Sequence, residues 1–227
     1  MSLIKKKVAF IGARYDGQAG VLVDVISSFY EEYEVVCFFD NTLELKGQDV
    51  LGIPVVGSIL EVSKKQLDEI DYFHISIGNN VARLEIFEFL KNKGAQFLTL
   101  IHPSAIVSAS SILGEGCFIG AKAVIQNDCT IGHSCILNTS SVIEHNNALG
   151  DCVQLAPNST TGGRVRLDDM AFVGIGATVL PDIRVGKMSF VGAGTTITKD
   201  VPEKVTMIGY SARVHAKNIY EQYGGEK

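Results

Sequence analysis

The chain is 227 residues long, with 46% hydrophobic and 20% charged residues and a formal net charge of −5. Length and composition admit one or two domains with substantial cores. They exclude a transmembrane helix, because no run of about 18 apolar residues occurs, and the lack of a Lys/Arg cluster argues against nucleic acid as a partner. Met1–Lys7 is basic but leads into the short run Val8–Ile11 with no small-residue cleavage pattern. No signal peptide is read there, and a cytoplasmic location is expected.

The first hundred residues read as strands alternating with helices. Val8–Ile11 is a short apolar strand followed by Gly12, a helix is expected over about Gln18–Tyr30, and Val35–Phe39 is a second strand ending at Asp40-Asn41. After a proline turn come Val55-Val56-Gly57, a helix from the cap Ser58 to about Leu67, the strand Tyr72–Ile77 ending at Gly78, and a helix over Val81–Lys93. Phe97–Ile101 is the last strand. Such alternation implies a small Rossmann-like α/β domain, a parallel sheet that binds ligands at the carboxyl ends of its strands. That directs attention to Gly12, Arg14, Tyr15, Asp16, Asp40, Asn41, Gly57 and Gly78.

The segment Gly12-Ala13-Arg14-Tyr15-Asp16-Gly17 lies where a phosphate-cradling turn would lie. Arg14 stands where the dinucleotide fingerprint has its second glycine, and a tight strand-to-helix turn without a ligand fits equally well. Asp40 can accept hydrogen bonds from ribose hydroxyls or serve as a strand-end turn residue, and the ligand reading is preferred. A small sheet of this kind suits a mononucleotide, or the nucleotide end of a sugar nucleotide, better than a dinucleotide. His102-Pro103 forms a natural joint, because proline holds the residue before it extended. The expected division is residues 1–101 and 102–227.

The second part keeps a six-residue beat. From Ile101 through Val107, Leu113, Ile119 and onward to Ile197, every sixth residue is aliphatic except Thr161. Glycine often follows the aliphatic, as at Gly114, Gly132, Gly150 and Gly174, where it is expected to allow a turn. The fourth residue after the aliphatic is usually small, as at Ala105, Cys117, Cys129, Cys135 and Ala177. A period of six smears apolar residues over every face of an α-helix. A strand and a turn repeated every six residues accommodates it, each aliphatic burying itself against its neighbours as in a solenoid. Cys117, Cys129 and Cys135 read as buried small residues in a reducing compartment, and no zinc spacing emerges, so no metal is expected.

This beat resembles the hexapeptide-repeat acyltransferases, whose fold is a left-handed parallel β-helix with three hexads per triangular coil. Acyl transfer needs a base for the acceptor's proton and donors for the developing oxyanion, and histidine titrates near neutrality. His74 lies in an apolar strand, His102 at the joint and His215 in the tail. His133 and His145 both fall two positions after a beat and should project outward, and His145 has the denser polar setting, Asn138–Asn147.

The two-part layout, with Ser141-Val142-Ile143-Glu144-His145, resembles the sialic-acid O-acetyltransferase and bacillosamine-pathway N-acetyltransferase group. The resemblance implies a nucleotide-sugar-binding βαβ domain before the β-helix, acetyl-CoA as donor and His145 as general base. It places Phe172–Ile175 and Val191–Gly194, with Ile175, Gly192 and Ala193, along the coenzyme A groove, and Gly163 near the acetyl end. It implies a homotrimer in which His145 of one chain faces coenzyme A partly held by another. The chain departs from the pattern at Asn146, where an acidic residue commonly follows the histidine, and at Gln154, where a second histidine lies near the thioester carbonyl. Arg14-Tyr15-Asp16 replaces a glycine-rich turn with a histidine. An amide donates hydrogen bonds but cannot become charged, so Glu144 or Asp151 is a candidate substitute acid. Ile208–Arg213 resembles the segment that closes the coil near coenzyme A, with Ser211 in place of proline and Arg213 either on a coenzyme phosphate or solvated. The expected reaction is N-acetylation of a nucleotide-linked amino sugar. The alternatives are O-acetylation of a sialic-acid-like sugar and a non-catalytic nucleotide-sugar-binding scaffold.

Overall fold

The structure, a computed structural model, describes residues 4–14 and 17–209. Its first part is a five-stranded sheet of β1 (Lys6–Ile11), β2 (Tyr33–Phe39), β3 (Asp49–Val50), β4 (Ile53–Gly57) and β5 (Tyr72–Ile75), in the order β3-β4-β2-β1-β5. All pairings are parallel except the short β3–β4 hairpin. Strand β1 is buried on both faces because helices α1 (Gln18–Phe29) and α3 (Asn80–Asn92) lie on opposite sides of the sheet. That explains its unbroken apolar run Val8–Ile11. The chain leaves β1 for β2 on one side and later returns to β5 on the other, and the resulting switch point opens a crevice at the carboxyl ends.

Two expected boundaries shift. Ser58 caps only the 3₁₀ turn Ile59–Glu61, accepting from Leu60 N at 3.2 Å. The short helix α2 (Lys64–Glu69) starts at Ser63, which forms a reciprocal capping box with Gln66. Phe97–Ile101 is not one strand: Phe97 bridges to Phe73 in the sheet, whereas Leu100–Ile101 pairs with Phe118–Ile119 in the solenoid.

From Leu100 on, each hexad contributes a two-residue strand, and the strands stack into three parallel sheets. The first face runs from Leu100–Ile101 to Thr206–Met207, the second from Ile106–Val107 to Thr196–Ile197, and the third from Ile112–Leu113 to Arg184–Val185. Each residue pairs with its equivalent one coil on, as Val124 with Val142 and Thr130 with Ala148. The architecture is a left-handed parallel β-helix following a small α/β sheet. The aliphatic beat residues from Ile119 to Ile197 are buried in one continuous core, where each fully buried aliphatic stabilises by about 1.5–3 kcal/mol.

The turns correct the expected role of the glycines after the beat. The left-handed backbone falls two residues later, on side chains such as Lys122, Asp128, Asn146, Cys152 and Asp182. Gly132 is glycine for another reason: a Cβ there would lie 2.5 Å from the backbone of Gly150 on the next coil.

Helix α3 joins the two parts along one corner of the solenoid. Asn80 Nδ2 donates to Met170 O at 3.1 Å, Arg83 to Cys152 O and Ser134 O at 2.9 and 2.8 Å, Phe87 stacks on His133 at 5.3 Å, and Lys91 pairs with Glu115 at 2.6 Å. Residues 80, 83, 87 and 91 form a single helical stripe. A helical turn of about 5.4 Å advances nearly as far as one coil of about 4.8 Å, so successive turns meet successive coils.

Candidate active site

A cavity of about 500 Å³ opens at the switch point, walled among others by Gly12, Arg14, Asp40, Asn41 and Gly78. Tyr15 and Asp16 lie outside the described residues. Gly12 closes tightly over the floor: its φ is +100° and a Cβ would meet Ile77 Cγ1 at 2.8 Å. Asp40 first of all builds the loop, its two oxygens accepting from Ala13 N at 2.7 Å and Thr42 N at 2.8 Å. Burial pushes its carboxyl up, but the hydrogen bonds from Ala13 and Thr42 and the charge of Arg14 outweigh this and hold it below its ordinary range. Each carboxylate oxygen retains acceptor capacity towards the cavity. Gly57 is not on the wall; its carbonyl accepts from Asp40 N at 2.9 Å and so supports the strand end. Gln18 and Ser76 also line the cavity, and Gln18 Nε2 is buried with no hydrogen-bond partner among the described residues. Gln18 opens the helix after Gly17, and that position was the available sequence signal for it.

His133 and His145 part company. The His133 ring is packed on Phe87, and its Nδ1 accepts from Glu115 N at 3.0 Å, which makes it an inter-part contact. His145 stays half-buried at the corner between the second and third faces. Its Nδ1 lies 2.8 Å from Asn146 Oδ1. An amide oxygen only accepts, so Nδ1 donates here, and whenever the ring is neutral Nε2 is the nitrogen that keeps its lone pair. Asn146 reaches this position from a left-handed corner, φ 58°, a conformation asparagine tolerates well. Gly163 lies directly against the ring, one coil on: a Cβ there would be 2.6 Å from Cε1 and Nε2.

Neither candidate substitute acid reaches the imidazole. Asp151 accepts from His133 N at 2.7 Å on another corner, and Glu144 makes no hydrogen bond to His145. The acid near His145 is Asp182, which holds Arg164 by two bonds of 2.6 and 2.8 Å. The hydrogen bond from Arg164 lowers the Asp182 carboxyl below its ordinary range, with the His145 charge a further contribution. Asn146, Arg164 and Asp182 occupy the same left-handed corner on successive coils, so counting in eighteens rather than sixes would have found them.

The positions expected to hold coenzyme A, apart from Gly163 beside His145, lie on the first face and its far edge. Gln154 sits between Ile136 and Phe172 in the outward column, with its Oε1 buried and unpartnered. Phe172 and Phe190 stack at 4.4 Å with nearly parallel rings. Ile175 and Ala193 are exposed beside them, and Gly192 lies under Ile208. Stacked rings and an aliphatic edge suit the adenine and pantetheine of a coenzyme. The segment Tyr210–Arg213 lies outside the described residues. In a triangular coil the corner carrying His145 is opposite this first face, so one chain does not bring the two groups together. Among the described residues, no cluster of His, Cys, Asp and Glu is arranged to hold a metal, and no helix is long and apolar enough to cross a membrane.

The family described as PglD N-terminal domain matches residues 7–90, and that described as GMPPB C-terminal domain matches residues 96–207. A histidine-to-asparagine variant of perosamine N-acetyltransferase from Caulobacter crescentus, solved with CoA and GDP-perosamine, is 33% identical with a TM-score of 0.83. That alignment covers 92% of this chain and 96% of the other. The acetyltransferase domain of PglB from Neisseria gonorrhoeae, solved with acetyl coenzyme A, is 31% identical over 90% of this chain and 97% of that one, with a TM-score of 0.80. The UDP-N-acetylbacillosamine N-acetyltransferase of Bacillus subtilis is 51% identical over 49 residues, which span 23% of its length.

Proposed function

Because the chain belongs to the PglD-like nucleotide-sugar N-acetyltransferases of the hexapeptide-repeat class, we propose that His145 is the base of its reaction and Asn146 the residue that orients it. The enzyme transfers an acetyl group from acetyl-CoA to the amine of a nucleotide-linked amino sugar. The observation that carries the assignment of the base is the 2.8 Å Nδ1···Oδ1 contact, which assigns the donor role to Nδ1 and makes Nε2, above Gly163, the basic nitrogen of the neutral ring.

The cavity at the carboxyl ends of β1, β2 and β5 takes the nucleotide, with Asp40 and the orphaned Gln18 amide as its polar contacts. The amine proton passes to Nε2 as nitrogen attacks the acetyl carbonyl, while Nδ1 keeps its bond to Asn146. A neutral amide supports the imidazolium less than a carboxylate would, and the charge of Asp182, largely met by Arg164, adds only a minor contribution. A neutral amine asks less of its base than a hydroxyl, which accords with nitrogen as the acceptor. Coenzyme A supplies the acetyl thioester. Gln154, whose buried oxygen has no partner, has its amide nitrogen left to donate to the acetyl carbonyl, and Ile175, Gly192 and Ala193 form the wall of the groove.

The separation of His145 from the first face supports a homotrimer. The corner of one copy supplies His145, the first face of the next supplies the donor groove, and three-fold closure satisfies all copies. His145→Ala should lower kcat on the order of 10²-fold or more while calorimetry still registers acetyl-CoA binding. Near wild-type turnover in that variant would remove the assignment, and a wild-type protein giving no heat with acetyl-CoA would favour a non-catalytic scaffold.

A further inference from the structure

The corner that carries His145 is tied from inside the core by a residue with no place in the repeat. Its equivalents on neighbouring coils are Ser111, Cys129, Val165 and Ile183, all small or apolar. Asn147 is only 1% exposed among them.

Several corners share a simple bond. Cys117, Cys129 and Cys135 each donate a thiol to the carbonyl 15 residues on: Gly132 at 3.1 Å, Glu144 at 3.1 Å and Gly150 at 3.2 Å. Asn147 Nδ2 repeats that bond, to Gly162 O at 2.8 Å, and adds Glu144 O at 2.6 Å and His145 O at 3.3 Å. It therefore links the strand end before the histidine to the strand end before Gly163. The backbone ladder slackens at the same place. Glu144 N reaches Thr161 O at 3.3 Å, whereas neighbouring inter-coil bonds such as Val142 N to Ser159 O and Ala148 N to Val165 O measure 2.9 and 3.0 Å. Thr161, the one break in the aliphatic beat, is the acceptor of that stretched bond. The imidazole has no slack of its own, being held against Gly163 on one side and bonded to Asn146 on the other.

We propose that Asn147 is a positioning residue for His145: its amide spans the slackened ladder and sets the height of the imidazole over Gly163. The inference rests on His145 as the base. Catalysis is sensitive to such placement, since displacements of about 1 Å cost up to 10²-fold in rate. Cysteine is the informative replacement, because three other corners fold around it and it retains the bond to Gly162.

The test compares Asn147→Cys, His145→Ala and the double variant on the full-length enzyme. Asn147→Cys should lose about tenfold in kcat, with both KM values and the thermal midpoint close to wild type. In the His145→Ala background the same change should cost nothing further, because it acts through the ring. Wild-type kcat in Asn147→Cys, or an equal loss in both backgrounds, would overturn the proposal while leaving the base in place. Retained turnover in His145→Ala would remove the base assignment and this inference with it.

Discussion

At the scale of the residue, burial keeps one histidine neutral well below the pH at which it would ordinarily take up a proton. His74 on β5 is fully buried, bonded through Nδ1 to Leu98 O at 2.8 Å, with Nε2 unpartnered. Burial depresses its pKa from 6.5 to about 4, with the nearby Arg83 charge acting in the same direction against the Leu98 bond. The folded state therefore keeps His74 neutral after the unfolded chain has protonated it. Its contribution is intact above about pH 6.5 and is lost as pH falls towards 4. Between pH 7 and pH 5 that amounts to about 2 kcal/mol. Urea unfolding at the two pH values should show this decline in the wild type and a markedly smaller one in His74→Leu, and identical declines would contradict it.

At the scale of the element, two kinds of glycine in the solenoid can be separated by experiment. Gly132 has ordinary backbone geometry but no room, with the carbonyl carbon of Gly150 2.5 Å from a would-be Cβ. Gly176 has a φ of +63° and nothing within 4 Å of a would-be Cβ. Gly132→Ala must push two coils apart and should cost about 2 kcal/mol or more. Gly176→Ala pays only for left-handed backbone, about 1 kcal/mol. Denaturation of both variants should rank them in that order, and the reverse would restore the turn explanation. The left-handed corners are tolerated on Lys122, Asp128 and Asn146 because each repeats in a stack whose ladder bonds determine the backbone.

At the scale of the molecule, the union of sheet and solenoid depends on a buried cation that has no carboxylate partner among the described residues. Arg83 is fully buried, and its guanidinium donates to Ile77 O at 2.9 Å, Asn80 Oδ1 at 2.8 Å, Ser134 O at 2.8 Å and Cys152 O at 2.9 Å. One side chain thus binds the loop beside the cavity to two coils of the helix. Leu100, Phe118 and Ile136 complete the joint by turning outward from the first face into the core of the sheet. Arg83→Met removes the donors and strands their acceptors, which should cost about 3 kcal/mol or more. The sheet should then melt before the solenoid, giving two calorimetric transitions where the wild type gives one. A single transition in the variant would mean that the apolar joint suffices.

The sequence by itself determined the solenoid, because a period of six admits no helix and each hexad needs only its neighbours. It also determined the α/β character of the first part and the outward projection of His145 from its polar run, all of which depend on local patterns. The cap at Ser63 was also local, in its Ser-x-x-Gln spacing to Gln66, whereas the division of Phe97–Ile101 and the tight packing at the post-beat glycines came only from the tertiary structure. So did the Asn146–Arg164–Asp182 stack, the Asn147 bridge and the Arg83 clamp. Their long-range contacts join residues 15 or more positions apart, and their meeting depends on how many hexads close a coil and where the helix lies against it. Neither quantity is expressed within any local window of the chain.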